Sequence, residues 1–175
     1  MNYQVWRAEA ERLLGELRRT DFGYPLGDNV VRPAVALNDS IAAQLAGLHS
    51  ACAAKLDAFF SICDGISWPD VHNGYFIKQR KEIGQIKNEY DPTKIIGDMA
   101  GRIVVVGSSG AGTLFAIRTR IGDILALSSG RIDGNTYYDN GNVHVAAADF
   151  DGFAQLLLED LRAFVAGKEE HTYVA

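Results

Sequence analysis

The stretch that most restricts the fold is Arg102-Ile-Val-Val-Val-Gly-Ser-Ser-Gly-Ala-Gly-Thr-Leu-Phe-Ala-Ile-Arg118, where a β-branched run breaks at clustered glycines and resumes as an alternating pattern. The continuous run Ile103 to Val106 marks a strand covered on both faces, hence one at the centre of a sheet. Beyond the glycines, Phe115 and Ile117 alternate with Ala116 and Arg118, Ile121-Gly-Asp123 supplies a turn, and Ile124-Leu-Ala-Leu127 a returning strand. Consecutive antiparallel strands follow. Gly107, Gly110 and Gly112 then form the structural turn between the first two, because a short reversal requires backbone angles that side chains resist.

Those glycines invite a chemical reading, which their surroundings exclude. A Walker-type loop needs lysine and a hydroxyl residue after its second glycine, to neutralise phosphates and hold magnesium. From Gly107 to Gly112 the spacing fits, but Thr113 and Leu114 occupy those two places. The order G-x-x-G-x-G is not the dinucleotide pattern, and a strand follows where the anion-binding helix belongs. Ser109, flanked by Gly107 and Ala111, is a degraded nucleophile elbow that Asp123 or Asp133 and His144 would complete as a hydrolase triad. The elbow also needs a helix after its serine, so a satisfied turn serine is the preferred reading. His49, His72, His144 and His171 form no metal-binding pair, and Cys52 and Cys63 lack zinc spacing. Asp133-Gly-Asn135 opens like a calcium loop, but Tyr137 and Tyr138 break the ligand pattern, leaving a hairpin tip. No cofactor or metal is expected.

Helical periodicity frames this centre. Trp6, Ala10, Leu13, Leu14 and Leu17 form one face of a first helix over about residues 3–19, opposite Arg7, Glu9, Glu11, Arg12 and Glu16. Residues 21–38 read as a connecting loop, with a short extended piece around Val30 and Val31. Asn38, Asp39 and Ser40 offer caps before a second stripe, Ile41 through Cys63, made by one long helix or two abutting ones and stopped at Asp64-Gly65. On that helix Cys52 and Cys63 stand roughly 16 Å apart, beyond disulfide reach, and read as reduced core residues. Asn73-Gly74 is a turn before a strand at Tyr75-Phe-Ile77. Ile83, Ile86 and Tyr90 mark a brief helical stripe ended by Asp91-Pro92. Ser128 to Asn142 reads as an exposed loop or hairpin, and Val143 and Val145 oppose His144 in an edge-like strand. Asp149 caps a last helix carrying Phe150, Phe153, Leu157, Leu161 and Phe164, and residues 167–175 form a polar tail expected to fray.

A chain of 175 residues fits one domain, 1–175, that needs no disulfide staples. Its net charge of -5 argues against a nucleic-acid partner and is compatible with a basic protein. No run reaches the roughly 18 apolar residues of a membrane span and the N-terminus does not open as a signal peptide, so a cytoplasmic protein is expected. Trp68, Tyr75, Tyr137 and Tyr138 lie in or beside loops, where aromatic rings either anchor a partner or close the ends of the core.

Four segments resemble the SUKH superfamily, the group containing the yeast Smi/Knr cell-wall regulators and many bacterial immunity proteins. They are Ile41 to Gly65, ending Leu56-Asp-Ala-Phe-Phe-Ser-Ile-Cys-Asp-Gly65; Tyr75-Phe-Ile77 with Glu82-Ile83 and Asn88-Glu-Tyr90; the hairpin Ile103 to Ile117; and Val145-Ala-Ala-Ala-Asp-Phe-Asp-Gly-Phe-Ala-Gln-Leu157. Thr113 stands where family members often carry an acidic residue. The resemblance covers about residues 38–165 and implies an α+β fold, a twisted, largely antiparallel sheet backed by helices. It also implies a family without a shared catalytic centre, whose members bind other proteins: a toxin domain for an immunity protein, a cellular enzyme for a regulatory scaffold.

Overall fold

The computed structural model describes residues 1–36, 40–45, 47–85 and 91–168, with Ala42 and Gln44 described by their backbone alone. Ile86, Tyr90, Asn38, Asp39, His171 and the tail from residue 169 lie outside the described residues. In chain order the elements are α1 (Tyr3–Leu17), β1 (Val30–Pro33), α2 (Ile41–Gln44), α3 (Ser50–Phe60), β2 (Cys63–Trp68), β3 (Tyr75–Ile77), a 3-10 turn (Arg80–Glu82), β4 (Lys94–Ile96), β5 (Gly101–Ser109), β6 (Leu114–Arg118), β7 (Ile124–Leu127), β8 (Arg131–Asp133), β9 (Thr136–Tyr138), β10 (Val143–Ala147) and α4 (Phe150–Val165).

The strand that the β-branched run predicts is the hub. β5 belongs to two sheets. Along the first the order is β1-β2-β3-β5-β6-β7-β10, every pair antiparallel. A second sheet leaves the start of β5, where Gly101 and Arg102 face β4, and continues through β9, parallel to β4, to β8. Alternation along the strands fills both sides. Val106, Phe115, Ile117, Ile124 and Ala126 join one core, with the buried faces of α1, α3 and α4. Ile103, Val105, Ala116, Leu125 and Leu127 join another, closed by Ile95 and Tyr137 of the second sheet. The result is an α+β domain, a largely antiparallel sheet with helices on one face and a small sheet over part of the other.

Local chemistry sets the helix boundaries. Asn2 accepts from the Gln4 and Val5 amides, Ser40 from Ala43 and Asp149 from Gly152, each side chain satisfying amides that a first turn leaves unpaired. Trp6 bridges helices by donating its indole N–H to the Ala154 carbonyl at 2.7 Å.

Several expectations are corrected. Of the two readings of the stripe from Ile41 to Cys63, the structure has two helices, but the second ends at Phe60 and not at Cys63. Asp64-Gly65 is no helix stop: both lie inside β2, and Cys63 begins it. Gly65, at φ +84, sits where a Cβ would come 2.4 Å from the Ile77 carbonyl, so β2 and β3 approach too closely there for any side chain. The glycine turn is also narrower than read. β5 runs on to Ser109; Gly107 lies within it, Gly110 follows it, and of the three only Gly112 takes a positive φ, +90. From the stripe after Ile77, a single 3-10 turn at Arg80–Glu82 appears among the described residues. In β10, Val143 is buried while Val145 is exposed, the register shifting between Val145 and Ala147.

Candidate docking face on the second sheet

Of the four aromatic side chains read as partner anchors, three are removed from any surface: Trp68 is 0 % exposed, Tyr75 1 % and Tyr137 2 %. Trp68 stacks on Trp6 with ring centroids 6.1 Å apart. Tyr137 closes the second core, its hydroxyl accepting from the Gly130 amide at 2.8 Å. Tyr138 alone stays partly exposed, with the Arg131 guanidinium 4.3 Å above its ring centroid.

The groups that a hydrolase would require are engaged elsewhere. Ser109 is buried, and its hydroxyl oxygen accepts from the Thr113 amide at 3.3 Å, the satisfied turn serine expected. Asp123 holds Arg118 through both oxygens, at 2.9 and 2.5 Å, and Asp133 pairs with Arg131 at 3.1 Å, while His144 faces outward. Among the described residues no cluster of histidine, cysteine and carboxylates is arranged to hold a metal.

Tyr138 belongs to a face that register assembles from four strands. Side chains alternate across a sheet, so Ile95, Ile132 and Tyr137 point to the core while their neighbours point away. One outward row runs Ile96, Tyr138, Arg131, cross-strand partners in β4, β9 and β8. The next runs Arg102, Lys94, Thr136, Asp133. Ile96 is 48 % exposed, one of few large apolar side chains left so open. Thr136, within the second row, is buried. Lys94 and Arg102 stand directly opposite each other on antiparallel strands, an unfavourable pairing of like charges. As a partner anchor, sequence flagged only Tyr138 here. The rest had no local signal, because β4 is three residues long and its pairing to β9 joins segments about forty residues apart.

A second constellation that sequence missed lies on the helix side. Asp160 is 0 % exposed, accepts from the Tyr75 hydroxyl, and has one oxygen 3.3 Å from His72 Nε2. Burial, and then the bond to Asp160, push the Tyr75 hydroxyl pKa upward, so Tyr75 stays a donor. With Tyr75 and Asp160 buried, this cluster reads as a structural tie between α4 and the loop before β3. Lys78 and Asp91, 2.5 Å apart, line the hollow where the two sheets diverge, of about 280 Å³, and neutralise each other.

No family model, no curated protein and no solved structure matches this chain. No helix among the described residues is long and apolar enough to cross a membrane.

Proposed function

We propose that this chain is a non-enzymatic protein-binding module acting in the cytoplasm and, following its resemblance to the SUKH superfamily, a bacterial immunity protein that neutralises a cognate toxin. The observation that carries the binding reading is the outward face of the second sheet, where Ile96 is 48 % exposed beside Tyr138 and a row of charges. Tyrosine and arginine are enriched at protein interfaces, and here Tyr138 and Arg131 stand in register with the open Ile96. The hydrolase alternative finds no comparable support, since Ser109 is buried and hydrogen-bonded within its own turn.

The test is whether a toxic protein is encoded beside this chain and, if so, co-expression of the two; a gene standing far from any toxin counts against immunity. Restored growth together with a co-purified one-to-one complex is the expected outcome. If growth stays blocked and no complex forms, immunity is excluded. If the chain instead captures a housekeeping enzyme and alters its activity, the regulatory-scaffold reading replaces it.

A further inference from the structure

The outward face of the second sheet is cationic within a protein of net charge -5, and we infer that the segment it receives is an acidic stretch of a protein partner. This rests on the protein-binding reading above and specifies the chemistry of the element that docks.

Three cations, Lys94, Arg102 and Arg131, share the face with one carboxylate, Asp133, which already holds Arg131 at 3.1 Å. Among the described residues Lys94 and Arg102 meet no carboxylate within ion-pair distance, although they stand opposite each other in register. Asp133 is two strands from Lys94, roughly 9 to 10 Å away, and Thr136 lies between them. Beyond Arg102 the neighbouring residue is Thr119, whose amide donates to the Arg102 carbonyl at 3.0 Å. The described residues therefore supply no counter-charge to this pair, and a carboxylate placed from outside between the two side chains meets both.

The adjoining row fixes what must accompany that carboxylate. Ile96 lies two residues along β4 from Lys94, so the apolar and cationic rows are separated by roughly 6.6 Å. An extended segment running along β4 has the same spacing between residues i and i+2 on one face. A carboxylate at i thus reaches Lys94 and Arg102 while an apolar side chain at i+2 covers Ile96 and Tyr138. Nucleic acid is the poorer fit, because one of the three cations is paired to Asp133 and the chain's isoelectric point is about 5.3.

The experiment is an amide-resolved NMR titration of the full chain with the synthetic peptide Ac-Glu-Thr-Leu-Thr-Glu-NH2, beside the same peptide with lysine for glutamate and a short oligothymidylate. The glutamate peptide is expected to give saturable shifts at Lys94–Ile96, Gly101, Arg102 and Arg131–Tyr138, weakening with salt. Lys94→Glu with Arg102→Glu is expected to weaken it about tenfold or more. Arg19→Glu with Lys168→Glu, on the helix side, is expected to leave it unchanged. Absent binding, shifts elsewhere, indifference to the first pair of reversals, or stronger binding of the lysine peptide or oligothymidylate each overturn the inference. The toxin complex separates the two levels: if the wild-type chain forms it and the Lys94 and Arg102 reversals leave it intact, only the acidic-segment inference falls. If the wild-type chain forms no complex, the immunity reading falls, while the peptide titration still decides this one.

Discussion

At Tyr75 one hydroxyl serves a buried carboxyl group. The ring is 1 % exposed and donates to Asp160, which is 0 % exposed. Tyr75→Phe keeps the packing and strips that donor, so it is expected to destabilise the fold by about 1–3 kcal/mol. A lower urea midpoint with an unchanged slope checks this; an unchanged midpoint would mean that Asp160 is satisfied without the hydroxyl. The two thiols make a simpler case. Burial raises Cys52 to about 11 and Cys63 to about 12, so neither offers appreciable thiolate at neutral pH, and both are free. Both are expected to resist Ellman's reagent in the native protein and to react promptly in denaturant. The helix cap at Asp149 links charge to pH. Its carboxyl is held below the ordinary range by its bond to Lys55 at 2.6 Å and then by the Gly152 amide. The folded pKa is therefore the lower one: its contribution is complete above the unfolded value of about 3.9 and is lost as pH falls through the folded value. Lys55→Met is expected to move acid unfolding to higher pH, modestly because both groups are partly exposed. Asp149 was legible as a cap because capping is local. Asp160 was not, since its partner lies 85 residues away.

Within elements, the glycines show what sequence position conveys and what it conceals. Gly107, Gly110 and Gly112 read alike, as turn residues, yet a Cβ at Gly107 would stand 2.3 Å from the Phe76 carbonyl and one at Gly110 2.0 Å from the Asn73 carbonyl. Both obstacles are backbone atoms, which yield less readily than a side-chain tip. Gly112 has open space and only its φ of +90 against substitution. Alanine at 107 or 110 is accordingly expected to cost more, about 1–3 kcal/mol as in overpacked sites, than alanine at 112, about 1 kcal/mol, when the three are compared by thermal unfolding. The reverse order would place the constraint in the turn after all. The meander of β5, β6 and β7 was legible because alternation and turn residues are contiguous. β2 was hidden, since Asp64-Gly65 punctuates it and the preceding stripe kept a helical period up to Cys63. β4, three residues long and paired across the chain, carried no period at all. Lys94, Ile96 and Arg102, the β4 and β5 side of the docking face, were invisible for the same reason: only register brings them together.

Across the whole molecule, unequal attachment of the two sheets predicts unequal stability. The larger sheet packs on three helices through a core that includes Trp6, Trp68, Phe59, Phe115 and Phe153. The second sheet hangs on β5 by two residue pairs, Lys94 with Arg102 and Ile95 with Gly101, and seals a smaller core in which Tyr137 is, among the described residues, the one buried aromatic ring. Fewer buried contacts and shorter strands mean a lower cost of local opening. Native-state hydrogen exchange is therefore expected to release the amides of β4, β8 and β9 at a lower free energy than those of β5 to β7. Tyr137→Ala, removing the ring that seals this core and the acceptor for Gly130, is expected to cost about 3–5 kcal/mol if the chain unfolds as one unit. With separate opening, the same substitution flattens protection in β4, β8 and β9 and leaves β5 to β7 nearly as protected as before. Equal loss across both sheets would show a single cooperative unit instead. The distinction bears on the proposed docking: if the second sheet opens on its own, an acidic segment bound across Lys94 and Arg102 also holds β4 onto β5, and the titrating peptide is expected to slow exchange in β4 and β9 while leaving β6 and β7 unchanged.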